Sequence, residues 1–117
     1  MKPTLRTVAQ SGPEPNAPPA DLSPSAAEHF RRLRDDYGIA DSFGIFILSE
    51  ALRSWDRAES ARRIIQTHGE LLGSGTRLRK NPAAAIEQTA RAACLKALRS
   101  LGCETEPVAA PGRPRGR

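Results

Sequence analysis

A run of apolar residues spaced by three and four positions between Asp41 and Gly69 constrains the fold more than any other feature of the sequence. The run comprises Ile45, Leu48, Leu52, Trp55, Ala58, Ala61, Ile65 and His68. This spacing places the side chains on one side of an α-helix, whereas a strand requires alternation. We therefore predict one long amphipathic helix with a seam close to that of a coiled coil, capped by Asp41 or Ser42 and ended by Gly69.

Two shorter helices are predicted, one before and one after the long helix. The first begins at Ser23-Pro24 and the last at Asn81-Pro82, because serine and asparagine are favoured caps and proline suits the first helical position. Gly38 and Gly102 are natural C-terminal stops. The first helix has Ala27, Phe30, Leu33 and Tyr37 on one face, and the last has Ile86, Ala90, Ala93, Cys94, Ala97, Leu98 and Leu101. The fold class is therefore all-α, with three main helices.

The segment 70–80 connects the long helix to the last one. Short stretches flank Gly73-Ser74-Gly75, which predicts a hairpin or a flexible loop. A short connection and an alanine-rich apolar face favour a long antiparallel helical hairpin. The segment also carries Arg77, Arg79 and Lys80, which are interpreted either as phosphate contacts or as an ordinary solvated loop rim.

Proline and glycine divide the chain into three parts. Residues 1–21 are read as a Pro-rich flexible arm, residues 22–103 as a helical oligomerisation and DNA-recognition domain, and residues 104–117 as a disordered basic tail. A helical core of about 80 residues is marginal alone, so the chain would gain stability by burying surface against copies of itself. The residues expected in the core or between copies are Leu48, Leu52, Trp55, Ile65, Ile86 and Leu98.

The charge of the chain favours a polyanionic partner. The net charge is +5, which points first to nucleic acid and second to a membrane surface. The C-terminal arginines Arg113, Arg115 and Arg117 alternate with proline and glycine, as in segments that lie in the minor groove of DNA. A small basic protein whose charge serves only solubility is the remaining interpretation.

The sequence offers no pattern for catalysis or cofactor binding. It contains no phosphate-binding loop, nucleophile elbow or paired histidine ligands, so we expect no enzyme, metal or cofactor. Cys94 and Cys103 are expected to be free thiols, because their spacing suits neither a zinc site nor a disulfide within one helix. No apolar run approaches a membrane span and no secretory signal is recognisable, which predicts an intracellular protein without a membrane partner.

The order of these signals resembles the small subunit of tailed-phage terminases over about residues 2–106. The matching segments are Lys2-Pro3-Thr4-Leu5-Arg6, Gly12-Pro13, Leu22-Ser23-Pro24, Ala27 to Leu33, Tyr37-Gly38-Ile39 with Asp41, the long helix with Ala51, Trp55, Ala58 and Gly69, and Asn81-Pro82-Ala83 with Ile86, Ala90, Leu95, Leu98 and Leu101-Gly102. Asp41-Ser42-Phe43-Gly44 departs from the Leu-Asp pair of the family, and the tail departs from its Ser-Arg ending.

The resemblance implies a non-catalytic DNA-packaging adaptor. Such a subunit assembles into a homo-oligomeric ring, binds the double-stranded viral genome, and recruits or regulates the large subunit that carries the ATPase and nuclease. It acts in the cytoplasm of the infected bacterial host. Without the resemblance, the residues predict only a basic helical protein that forms oligomers.

Two other functions are compatible with the sequence. A small helical transcriptional regulator would use a helix-turn-helix formed through Gly38, although the start of the long helix is rich in Ile and Phe and suits burial better than base reading. A structural or interaction protein with no role on nucleic acid is the second. Binding to DNA at moderate salt separates this last interpretation from the other two.

Overall fold

Three helices form the body of the protein in the computed structural model, which describes residues 14–103. They are α1 (Pro24–Asp36), α2 (Ser42–His68) and α3 (Pro82–Ser100). Between α2 and α3 lie the two-residue strands β1 (Leu71–Leu72) and β2 (Arg79–Lys80), separated by a single 3-10 turn. The predicted number and order of helices are confirmed, and this small sheet is an addition to the all-α prediction. The predicted tail 104–117 and the first part of the predicted arm, residues 1–13, lie outside the described residues.

Each helix begins at a side-chain cap that the sequence signals. Ser23 Oγ, Asp41 Oδ2 and Asn81 Oδ1 each accept a backbone N–H from the first turn, at 3.1, 2.9 and 3.0 Å. Proline occupies the start of α1 and α3, where its missing N–H leaves no hydrogen bond unmade. Of the two caps proposed for the long helix, Asp41 is the one observed.

Helix α2 packs against both of the others, and the main core lies along it. The buried residues of this core are Leu22, Ala26, Phe30, Ile39, Leu48, Ala51, Leu52 and Cys94. Farther along α2, Ala58 and Ala61 are buried, as are Ala83 and Ala90 of α3. Because alanine is small, it lets two helix backbones approach closely. The predicted antiparallel pairing of the second and third helices is confirmed.

The six residues predicted for the core or for contacts between copies differ in exposure. Leu48 and Leu52 are buried, Trp55, Ile65 and Leu98 are half-buried, and Ile86 is 39% exposed. The predicted apolar face of the last helix is also only partly buried. Cys94 is buried, whereas the neighbouring Ala93 is exposed. The reason is geometric, because α3 has one helical neighbour and can turn only one strip of its surface toward it.

The N-terminal segment that precedes α1 contacts the helices from residue 14 onward. Glu14 accepts a hydrogen bond from Arg34 Nη1 at 2.6 Å, and Asp21 accepts one from Arg53 Nε at 2.9 Å. These hydrogen bonds lower the pKa of both carboxyl groups. The described part of the predicted arm therefore lies against α1 and α2.

Asp56 of α2 fixes the start of α1. Its carboxylate accepts the backbone N–H of Ser23 at 2.8 Å and the Ser23 hydroxyl at 2.6 Å. The Ser23 hydroxyl oxygen in turn caps the helix. One carboxylate thus connects the cap of the short helix to the middle of the long one.

Asn81 closes the connection between α2 and α3. It is only 4% exposed, its backbone N–H donates to the carbonyl of Glu70 at 2.8 Å, and its Nδ2 donates to the carbonyl of Gly69 at 2.8 Å. The side-chain oxygen simultaneously caps α3. Leu72 pairs with Arg79 just beyond this point. A single buried amide therefore links the end of one helix, the hairpin and the start of the next helix.

Gly73 is required where the chain turns after β1. Its φ of 88° lies in the left-handed region, and a Cβ at this position would come within 2.5 Å of the carbonyl oxygen of Arg77. A side chain here would push against backbone rather than against a movable side chain. The glycine thereby allows the hairpin to fold back on itself.

We expect Asn81→Ala to destabilise the protein more than Asp41→Ala. The first change removes both a helix cap and the hydrogen bond to Gly69, which together are worth about 2 kcal/mol, whereas the second removes one cap worth about 1 kcal/mol. Urea unfolding followed by circular dichroism measures both. An equal loss for the two variants would show that the Gly69 contact contributes nothing to the hairpin.

Candidate nucleic-acid interface

Five arginines of the helical body form salt bridges with carboxylates. Arg91 of α3 donates to Glu59 of α2 at 3.1 Å and to Glu87 of its own helix at 3.0 Å. Arg53 is shared in the same way between Asp21 and Glu50. The hydrogen bonds that these guanidinium groups donate, chiefly to Glu87 from Arg91 and to Asp21 from Arg53, raise the pKa of both groups. These cations hold elements of the fold together.

A second group of cations forms no salt bridge with a carboxylate of residues 14–103. The group consists of Arg57, Arg62, Arg63, Arg77, Arg79, Lys80, Lys96 and Arg99. All of them are exposed. A phosphate can approach such a side chain without displacing a carboxylate, so this group is the better candidate for contacts with nucleic acid.

Most of these cations lie at the closed end of the α2–α3 pair. We call Arg62, Arg63, Arg77, Arg79 and Lys80 the basic tip. The first two are in the last turns of α2, and the other three belong to the connection that leads into α3. The pairing of β1 with β2 brings the connection back beside the end of α2. The tip is therefore a local concentration of positive charge at one end of an elongated body.

The basic tip includes the three hairpin residues predicted from sequence and two that were missed. Arg77, Arg79 and Lys80 are exposed as expected for either interpretation of this segment. Arg62 and Arg63 are not among the contacts predicted from sequence. Their closeness to Gly69, the predicted end of the helix, was the available signal. The predicted DNA contacts Arg113, Arg115 and Arg117 lie outside the described residues.

The turn between α1 and α2 does not present a base-reading surface. In a helix-turn-helix, the first residues of the second helix reach the edges of the bases with polar side chains. Here Ser42 is exposed, but most of the accessible surface belongs to Phe43 and Phe46, which are 67% and 59% exposed. These aromatic side chains do not favour the regulator interpretation.

Between residues 14 and 103, no group of three or more His, Cys, Asp or Glu side chains is placed to hold a metal ion. Cys94 and Cys103 are free thiols, and burial raises the pKa of each. None of the three helices is long and apolar enough to cross a membrane.

Comparison with known proteins gave no relative for this chain. No family model matches it, and no curated protein or solved structure matches it either.

Removing the hairpin charges should leave stability almost unchanged. We expect the triple variant Arg77→Gln, Arg79→Gln, Lys80→Gln to unfold within about 0.5 kcal/mol of the parent, because these side chains have no carboxylate partner among the described residues. Arg91→Gln, which loses two partners, should cost up to about 1 kcal/mol. Urea unfolding of both variants tests this difference. If the triple variant is the less stable one, the tip cations serve the fold rather than a ligand.

Proposed function

We propose that the protein is a non-catalytic DNA-packaging adaptor of the kind represented by the small subunit of tailed-phage terminases. In this role it binds double-stranded phage DNA, associates with copies of itself, and recruits or regulates a large subunit that carries the ATPase and nuclease. The site of action is the cytoplasm of the infected bacterial host. The packaging role depends on the resemblance in sequence, whereas DNA binding also has support from the distribution of charge.

The observation that supports DNA binding is that some cations form salt bridges with carboxylates, whereas those of the basic tip do not. Arg53 and Arg91 are held by carboxylates in the body, while the basic tip has no such partners within residues 14–103. Association with DNA releases the counterions that surround its phosphates, and this supplies most of the affinity at low salt. An exposed cluster of cations without carboxylate partners among the described residues is suited to that kind of contact and requires no base reading.

Self-association is supported by the apolar surface that remains accessible. Phe43 and Phe46 lie one turn apart at the start of α2, and each is more than half accessible. Single exposed apolar residues are ordinary, but neighbouring ones mark contact surfaces. In an oligomer, several basic tips would act on one DNA molecule, and their contacts would add to a large effective affinity.

Loss of the hairpin charges should weaken DNA binding. For the triple variant Arg77→Gln, Arg79→Gln, Lys80→Gln, we expect the slope of log K against log salt to fall by up to roughly 2.7 per chain, at about 0.9 for each lost phosphate contact. Affinity for a DNA duplex at moderate salt should fall at least about tenfold. Fluorescence anisotropy with labelled duplex over a salt series gives both quantities.

A matched variant separates the position of the charges from their number. Arg57→Gln, Lys96→Gln and Arg99→Gln together remove the same charge from cations that are likewise unpaired but lie away from the tip. This control should retain most of the salt slope. If both triple variants lose the same affinity, net charge and not the tip determines binding. If neither parent nor variants bind DNA, the protein is an interaction protein without a role on nucleic acid.

The C-terminal segment can be tested by truncation. Removal of residues 107–117, which contain Arg113, Arg115 and Arg117, should weaken binding to DNA or to the large subunit while the oligomer keeps its mass. The physical reason is that this segment is rich in charge and poor in residues that could form a core. Light scattering and anisotropy on the same sample measure the two properties. Dissociation of the oligomer on truncation would assign the segment to assembly instead.

A further inference from the structure

An open apolar groove lies between α1 and α3, with α2 as its floor. It has a volume of about 470 Å³ and is lined by residues of all three helices. Leu52 and Trp55 of α2 form the floor, and Leu33, Leu95 and Leu98 form much of the walls. The groove exists because α1 and α3 both pack against α2 but make little direct contact with each other.

The floor of the groove is aromatic and partly accessible. The ring of His29 contacts that of Trp55 edge to face, with centroids 4.8 Å apart and an angle of 73°. Trp55 is half-buried although it is packed against the main core. An apolar cavity of about 150 Å³ is enough to hold a benzene molecule. The groove is therefore large enough for aromatic side chains.

The same chain exposes a pair of aromatic side chains elsewhere. Phe43 and Phe46 are one turn apart at the start of α2, and both are more than half exposed. A Phe side chain buries about 150–250 Å² when it is fully covered, so this pair is a strong potential anchor. Nothing in residues 14–103 covers them.

The aromatic pair and the groove face in opposite directions. Phe43 is separated from Leu52, and Phe46 from Trp55, by about two and a half helical turns, which places the pair on the side of α2 away from the groove. A contact between the pair of one chain and the groove of the next is therefore heterologous. Such contacts repeat from chain to chain and produce a ring when the rotation closes.

Charged side chains lie beside both surfaces. Asp41 and Glu50 flank the aromatic pair on either side along the chain. Arg32 and Arg91 are among the residues that line the groove, where Asp36 is the carboxylate. Arg32, Arg91 and Glu50 already form salt bridges within the chain, so the apolar side chains would supply the contact.

We propose that Phe43 and Phe46 of one chain insert into the groove over Trp55 of a second copy, and that this head-to-tail contact builds the oligomer. The occupant of the groove is thus a second molecule of the same protein. This inference rests on the self-association included in the proposed function. It does not depend on DNA binding, because the basic tip is made of other residues.

The test uses two variants of the full chain, each of which disables one side of the contact. Phe43→Ser with Phe46→Ser removes the anchor, and Leu95→Glu places a charge on the wall of the groove. Both change exposed positions, so both chains should keep their helix content. In light scattering at moderate salt, the parent should be an oligomer and each variant alone should have the mass of one chain.

Mixing the two variants provides the decisive measurement. The Leu95→Glu chain retains its aromatic pair and the double-serine chain retains its groove, so together they should form a dimer that cannot extend. The emission of Trp55, the one tryptophan of the chain, should shift to shorter wavelength on mixing because the groove becomes covered. Leu71→Ser with Leu78→Ser changes equally exposed leucines of the hairpin and should leave the parent oligomer intact.

Each other outcome overturns the proposal in an identifiable way. A parent oligomer that is unchanged in both variants shows a different interface and leaves the proposed function standing. Two monomeric variants that do not combine exclude the head-to-tail contact. A monomeric parent excludes self-association altogether, and a shift of Trp55 emission on removing residues 104–117 would then assign the groove to the chain's own end. DNA affinity, measured on the same samples, reports separately on the basic tip.

Discussion

The need to cover one long helix with two shorter ones shapes the whole molecule. Helix α2 has 27 residues, whereas α1 has 13 and α3 has 19. Both short helices pack against α2, α3 more extensively than α1. They make little direct contact with each other, which leaves the groove above Trp55 open. The surface left uncovered on α2 carries Phe43, Phe46 and the arginines near its end. The same mismatch in length therefore creates both candidate contact surfaces.

The position of Asn81 determines where the basic tip forms. Its side chain links the end of α2 to the start of α3, so the hairpin must fold back over the end of the helical pair. Gly73 allows the reversal because a larger residue would collide with the backbone at Arg77. With the reversal fixed, cations from α2 and from the hairpin share one end of the molecule. A polar interaction that serves folding thus also sets the geometry of the proposed interface.

Much of the fold could be predicted from sequence because its signals are local. Ser23-Pro24 and Asn81-Pro82 mark helix starts, and the three-four spacing from Ile45 to Ile65 marks a helix without reference to any other part of the chain. The exposure of Ile86 was not accessible in this way, since it depends on which side of α3 meets α2. Salt bridges such as Arg91–Glu59 also join distant positions, so the division between paired and unpaired cations emerges only in the folded chain.

The difference between cations that form salt bridges and cations that do not determines whether DNA binding would disturb the fold. A phosphate that contacted Arg91 would have to replace two carboxylates, and the gain in one interaction would be offset by the loss of the others. A phosphate that contacts Arg79 exchanges only water and counterions. DNA should therefore engage the tip without loosening the body. If the oligomer forms through Phe43 and the groove, its interface shares no residue with the tip, and assembly increases the number of tips without masking them. Affinity for DNA would then grow with the number of chains, since each added tip binds at high effective concentration along the same duplex.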